Sequence, residues 1–203
     1  MPSSERTANP STADERPLAE RLLDAAEAEI VERGTTDITL RAVARRIGVS
    51  HQAPGYVFTD RAGLLTALAV RGYLLLDGAI NAARHRVSAT ATGRETLVEM
   101  GLAYVLTASE RPALFWLVSR PDLGGHSKDL EEARGKAVAT LLDAVRAAMA
   151  DGWRPGGSAH TLAALCWATV HGLAVLHGDP LRQLNDKSLE ETVRSVLSAL
   201  LAD

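Results

Sequence analysis

Apolar residues recur along this chain at intervals of three and four, the spacing that places them on one face of a helix. Over residues 17–33, Leu22, Leu23, Ala26 and Ile30 form such a stripe, while Glu20, Asp24, Glu27, Glu29 and Glu32 fall off it. Pro17 suits a first helical turn and Gly34 an exit, so the spacing predicts one amphipathic helix with its acids in solvent. Leu40, Val43 and Ile47 repeat the pattern over 39–47, and a second short helix is expected over 50–57. A longer helix starts near Asp60, whose carboxylate can cap it, and continues past Tyr73 towards Arg86. After a break at 90–93, residues 94–109 are apolar from Leu97 to Ala108 except for Glu99 and Thr107, which predicts a central, mostly buried helix. A short helix over 111–119 closes before Pro121, a glycine-bearing loop follows at 122–126, and 127–150 reads as a long amphipathic helix. Residues 152–157 break the chain again. The stretch 159–176 is nearly apolar all round, interrupted by His160, Thr169, His171 and Gly172. The last helix, 187–201, carries Leu189, Val193, Val196, Leu197, Leu200 and Leu201 as a stripe. No segment alternates as a strand does and no internal repeat is visible, so the expectation is an all-α fold of about nine helices.

The stretch 39–58 carries the most chemistry. Its two short helices pivot on Gly48, a natural left-handed helix stop, and it contains no acidic residue. Arg41, Arg45 and Arg46 lie off the apolar stripe, Val49 is an apolar plug, and Ser50 can cap the next helix with His51, Gln52 and Tyr56 free to point outward. A helix–turn–helix of this kind can place its second member in a DNA major groove. The same pattern also describes an ordinary helical hairpin with a solvated basic face.

The residues around that motif narrow the choice. From Arg21 the run LLDAA leads to ERG at the end of the first helix, Thr39 opens the second, Ala44 stands four residues before Gly48, and GVS follows. Phe58 and the pair Asp60 and Arg61 then start the long fourth helix. In order and spacing this resembles the tetracycline-repressor (TetR-type) family of bacterial transcriptional regulators across about fifty residues. Further on, Trp167, His171 and Gly172 are similar to the tryptophan–histidine–glycine signature of one C-terminal branch of that family. The resemblance implies a helix-turn-helix DNA-binding domain over 16–76, after a disordered tail at 1–15, followed by a helical ligand-binding and dimerisation domain over 77–203. It also implies a homodimeric repressor that leaves a near-palindromic operator when a small molecule binds.

Carried over position by position, the resemblance places Ser50, His51 and Gln52 where family members meet bases and phosphates. Gln52 is the best base reader, because an amide can pair bidentately with adenine. Arg45 joins the basic face, and Thr39 and Arg61 occupy positions that usually hold phosphate. Thr39 and Ser50 also read as plain N-caps. The chain departs from the family at one point: the aromatic expected three residues before Phe58 is replaced by Gly55, with Tyr56 one position later. Pro54 and Gly55 are poor interior helix formers, so a short, soft recognition helix is expected, with Tyr56 supplying the phosphate hydroxyl from a rotated position or not at all.

Composition moderates this picture rather than announcing it. The formal net charge is -3, and 46% of the 203 residues are hydrophobic, ample for a buried core. Acids crowd the first predicted helix and arginines the second, so a local basic patch survives in a neutral module. Cys166 is the single cysteine, which excludes an intrachain disulfide or a cysteine-based zinc site and suits a small core residue. The N-terminal stretch has no apolar signal region, and no run of eighteen apolar residues appears, so a cytoplasmic protein without a membrane span is expected.

In the C-terminal part, Met100, Tyr104, Phe115, Trp116, Trp167 and His171 are the candidate ligand-binding residues. Trp167 and His171 are four apart and hence on one helical face. An aromatic pocket with His171 as its polar handle suits an apolar to amphipathic effector of unknown identity. A packed core with a hydrogen-bonded histidine is the alternative. No metal ligand set is expected: His171 and His177 point in different directions, and His126 sits in no ligand pattern. No cofactor and no catalytic residue are expected either, since the chain has no phosphate-cradling glycine loop, HExxH or paired-carboxylate site. The last two helices, too apolar for their surface, are expected to pair with a second subunit, the alternative being a monomer core. A second function is a helical small-molecule-binding protein that keeps the fold and reads DNA poorly.

Overall fold

A computed structural model of the protein describes residues 16–120, 127–176 and 187–202. Among these are nine helices and no strand: α1 (Leu18–Arg33), α2 (Leu40–Arg46), α3 (Ala53–Phe58), α4 (Arg61–Arg86), α5 (Gly93–Glu110), α6 (Pro112–Ser119), α7 (Lys128–Ala150), α8 (Ala159–Leu176) and α9 (Leu189–Leu200). The expected tail at 1–15, the loop at 122–126 with His126, and His177 lie outside the described residues.

Local chemistry sets most boundaries. Thr39, Asp60, Thr92, Ser127 and Ser188 each accept a hydrogen bond from a first-turn backbone N–H of the helix they precede, and Glu95 and Glu191 complete capping boxes. Gly34 ends α1 with φ 63°, and Gly48 turns the chain after α2 with φ 70°. One boundary differs from expectation. Ser50 does not cap α3; residues 51 and 52 form a turn, and the helix begins only at Ala53 with Pro54 in its first turn. Proline lacks the amide hydrogen a helix interior needs, so the helix forms only where that loss is harmless.

Three apolar clusters organise the packing. The first joins α1, α2 and the N-terminal half of α4 through Leu22, Ile30, Val43, Leu64 and Leu68, with Leu114 and Leu117 of α6 packed against them. The second gathers Tyr73 and Leu76 of α4 with Val105, Phe115, Leu173 and Val193. The third holds Met100, Val145, Trp153, Leu162 and Cys166. Leu64, Leu65 and Leu68 are fully buried, and each such side chain contributes about 1.5–3 kcal/mol relative to exposure. Helix α4 therefore belongs to two clusters, and so does α6. At the far end α5 abuts α7: a Cβ on Gly93 would lie 2.5 Å from the Ala148 backbone, and the Gly93 N–H donates to Asp151 Oδ2 at 2.6 Å.

The acidic face of α1 is only partly solvated, where the sequence reading places it in solvent throughout. Glu27 and Glu29 are largely covered, and every acid on it meets an arginine. Arg71 of α4 donates to Asp24 at 2.6 Å and also to the Glu20 carboxylate. Arg111 embraces Glu27 with two bonds of 2.6 and 2.7 Å, and Arg46 spans Glu29 and Glu32 at 3.1 and 2.6 Å. Glu29 is only 6% exposed. The hydrogen bond from Arg33 holds its carboxyl below the ordinary value against the opposing effect of burial, with Arg46 adding to the effect. Burial works against the Asp24 carboxylate too, but Arg71 and Arg16 outweigh it and lower its pKa. The acids are spent on joining α1 to its neighbours.

By hydropathy, α4 and α8 each contain an eighteen-residue window apolar enough to cross a bilayer, although neither shows as an unbroken apolar run in the sequence. Half of the α4 window is buried inside the protein and a third of the α8 window. Helix α8 keeps Leu165, Val175 and Leu176 exposed at 39, 60 and 44%, and α9 keeps Val196 exposed at 37%.

A candidate DNA-reading face and an apolar cavity

Helix α2 buries Ala42, Val43 and Ala44 against the first cluster and turns Arg41, Arg45 and Arg46 outward. Arg46 is held by the carboxylates of α1, whereas Arg41 and Arg45 make no hydrogen bond or ion pair with any described residue. Two unneutralised guanidinium groups thus remain on this helix for phosphates. Thr39 is exposed, and its hydroxyl accepts from the Ala42 N–H at 3.2 Å, so it caps α2 while standing at its solvent end. Past Gly48, Val49 packs into the first cluster, which leaves Ser50, His51 and Gln52 exposed on the turn that enters α3. Tyr56 is 85% exposed. Pro54 is buried beneath them and fixes which side of α3 faces inward.

The expected phosphate ligand Arg61 is engaged elsewhere. Its Nε donates to the Ile38 carbonyl at 3.0 Å and a terminal nitrogen to the Thr36 carbonyl at 2.8 Å, with Asp37 at 3.9 Å. The guanidinium ties the start of α4 to the loop before α2. The turn between α3 and α4 is equally tight: Thr59 has φ 67°, and a Cβ on Gly63 would lie 2.0 Å from the Phe58 carbonyl oxygen. Arg41, the second free cation, was not singled out by sequence; only the pairing of Arg46 with α1 separates the three arginines.

Farther along the chain from this face, α4, α5, α7 and α8, with Val118 of α6 and Leu197 of α9, line a cavity of about 800 Å³ including the open space at its mouth. Of the candidate ligand-binding residues, Met100, Tyr104 and Trp167 line it. Phe115 and His171 stand in a layer behind the wall. The Tyr104 and Phe115 rings meet edge to face with centroids 6.3 Å apart, and Phe115 lies tilted on His171 at 5.1 Å. The Tyr104 hydroxyl is 3.0 Å from His171 Nδ1. Burial pushes the Tyr104 phenol up to about 12, opposed by the Trp167 indole hydrogen bond, and burial lowers His171. The imidazole is therefore neutral near pH 7, and one hydrogen is shared between Nδ1 and the phenolic oxygen.

Trp116 is not part of this site. On the short helix α6, Ala113, Leu114, Phe115, Leu117 and Val118 are buried, and Trp116 is left 43% exposed on the other side. Cys166 lines the wall with its thiol raised to about 11 by burial. Sequence reasoning missed Arg134, which lines the cavity from α7. On that strongly amphipathic helix it looked like one more solvated charge. Among the described residues no three histidine, cysteine or carboxylate side chains come together as metal ligands.

The family model described as bacterial regulatory proteins, tetR family, matches residues 22–68, and that described as tetracyclin repressor-like, C-terminal domain, matches residues 97–200. No curated protein matches the chain. Among solved structures it is similar to a protein of unknown function from Rhodococcus sp. RHA1, at 29% identity and a TM-score of 0.80, over 93% of this chain and 95% of that one. It shares its fold with the TetR family transcriptional regulator PfmR from Thermus thermophilus, at 16% identity and a TM-score of 0.70, over 89% and 97% of the two chains. It also shares it with the transcriptional regulator FadR from Bacillus subtilis, solved in complex with stearoyl-CoA, at 16% identity and a TM-score of 0.70, over 90% and 97%.

Proposed function

Because the chain belongs to the tetR family of bacterial regulatory proteins, we propose that it acts as a homodimeric repressor released from a near-palindromic operator by a small ligand. The observation that carries this reading is the course of α4. Its cap, Asp60, follows directly on α3, and further along the same helix Tyr73, Leu76 and Ile80 form one wall of the cavity. A ligand that fills the cavity in one position of α4 better than in another biases both ends of that helix at once.

In this reading residues 16–76 form the reading head and 77–203 the ligand-binding and dimerisation part. Gln52 reads a base edge, Arg41 and Arg45 meet phosphates, and Thr39, Ser50, His51 and Tyr56 add hydroxyl, imidazole and amide contacts that set register. Arg61 holds the heads in shape rather than touching DNA. Met100, Tyr104 and Trp167 contact the ligand, with Phe115 and His171 supporting them. Helices α8 and α9 pair with a second copy, whose head enters the next major groove about one helical turn away. Trp167, His171 and Gly172 support placement in the tryptophan–histidine–glycine branch, and operator binding puts the protein in the cytoplasm.

The test is titration of the protein against DNA upstream of its own gene, by gel shift or fluorescence anisotropy at several salt concentrations. Tight, saturable binding to one site, weakened by Gln52→Ala and by Arg45→Ala, is expected. The six residues of α3 favour a second reading, a ligand-binding protein with weakened DNA recognition. Uniform weak binding indifferent to both substitutions would select it.

A further inference from the structure

We infer that the cavity receives an anionic amphiphile, a single aliphatic chain lying along the wall with its acidic head at Arg134. This rests on reading the cavity as the effector site and adds the chemical class of what enters it.

The first argument is polarity. The Tyr104 hydroxyl is bound to His171, and the Tyr73 hydroxyl is directed at the Val118 carbonyl at 3.4 Å. The Cys166 thiol is protonated and a weak donor. The interior thus has few free partners to offer, and a polar ligand body would lose hydrogen bonds to water without replacing them. The second is the lining. Leu76, Ile80, Leu97, Leu141, Val170 and Leu197 turn hydrocarbon into the cavity, so the ligand body that fits best is itself hydrocarbon, such as an aliphatic chain.

The third argument is charge. Among the described residues that line the cavity, Arg134 carries the only formal charge, and none is a carboxylate. It makes no ion pair or hydrogen bond with any described residue, while its neighbour Glu132 is taken by Lys128 at 3.3 Å. Its charge reaches Tyr73, where it opposes the burial that raises that phenol. Arg134 is exposed, so its head group sits at the mouth, between an apolar cavity and water. An unanswered guanidinium at the mouth of an apolar cavity matches a carboxylate or phosphate joined to a hydrocarbon tail. A cationic ligand would meet repulsion there and no counter-charge inside.

Calorimetric titration of the full-length protein decides it, with octanoate, decanoate and dodecanoate, the alcohols of equal length, and dodecyltrimethylammonium. Each two added methylenes should tighten binding about tenfold until the cavity is full. Dodecanoate should bind about tenfold more tightly than dodecanol. Arg134→Ala should abolish that preference while leaving dodecanol binding and the melting temperature unchanged, and Arg134→Lys should restore most of it. Comparing dodecanoate with dodecanoyl-coenzyme A then names the source of the anion, the tighter of the two being the physiological form. Equal affinity for acid and alcohol, a preference that survives Arg134→Ala, tighter binding of the ammonium, or no binding of any chain overturns the inference. The same titrations on the operator-bound protein keep the two proposals apart. Arg134-dependent binding that leaves the DNA complex intact sinks the regulatory reading alone, and a specific DNA complex with no affinity for these chains sinks this inference alone.

Discussion

Tyr104 and His171 bind each other across the gap between α5 and α8, and the burial of that pair sets how the site responds to acid. Burial lowers the imidazole's pKa, so the unfolded chain takes up this proton before the folded one does. The pair's contribution is therefore complete above about pH 6.5 and declines as pH falls through the window below it. Urea unfolding at pH 7.5 and 5.5 should show a loss of stability that shrinks in His171→Leu, and Tyr104→Phe should be destabilised by about 1 kcal/mol at pH 7.5. An unchanged pH response in His171→Leu would refute this assignment. The i, i+4 spacing of Trp167 and His171 was readable from sequence, but the partner sixty-seven residues upstream was not, because it depends on how α5 crosses α8. Trp116 was misassigned for a related reason. Phe115 and Trp116 are adjacent, and only the docking of α6 decides which of two neighbours turns inward.

At the scale of helices, apolar periodicity and the breaks at Gly, Pro and Asp60 made most elements legible, whereas pairings between helices stayed hidden. Pro54 announced a short recognition helix, and α3 does begin late, at Ala53. Gly55 stands in its middle, where an added Cβ meets nothing within 4 Å. Gly55→Ala should therefore stabilise α3 by about 0.5–1 kcal/mol. If softness of this helix limits recognition, operator affinity measured by anisotropy should rise by a few fold, and a fall would show that Gly55 admits the DNA backbone. The acidic stripe of α1 reads as a solvated face by periodicity alone, because the arginines that claim it come from positions 46, 71 and 111. Arg111 sits between α5 and α6 and grips α1, so it links the cavity's walls to the reading head by a route separate from α4. Arg111→Ala should cost only about 1 kcal/mol in stability, since the guanidinium is 42% exposed. Its larger effect should fall on coupling: ligand and operator each bind as before, but saturating ligand weakens DNA binding less than in the wild type. Full retention of coupling would leave α4 as the sole route.

Over the whole molecule, what remains unburied carries the argument for a second copy. Helix α8 presents Leu165, Val175 and Leu176 to solvent, α9 adds Val196, and a Cβ on Gly172 would touch nothing. These residues come from the last two helices and stay partly open to solvent, apolar surface that a second copy could cover. The apolar run 159–176 is what raised the expectation of a second subunit in the sequence, with a monomer core as its alternative. If the face is the dimer interface, a charge placed there should separate the subunits without disturbing the interior, because Val175 is 60% exposed. Val175→Asp should therefore keep the helical circular dichroism and ligand affinity of the wild type while its mass by analytical ultracentrifugation falls to one subunit. A lone reading head then loses the second half-site, and with it the gain of holding two heads at a fixed separation. Operator affinity should drop by about a hundredfold or more, while affinity for a single half-site stays the same. A Val175→Asp protein that remains dimeric would move the interface elsewhere. One that becomes monomeric and still binds the full operator undiminished would mean that a single head carries recognition, and that ligand-driven changes in head spacing have nothing to act upon.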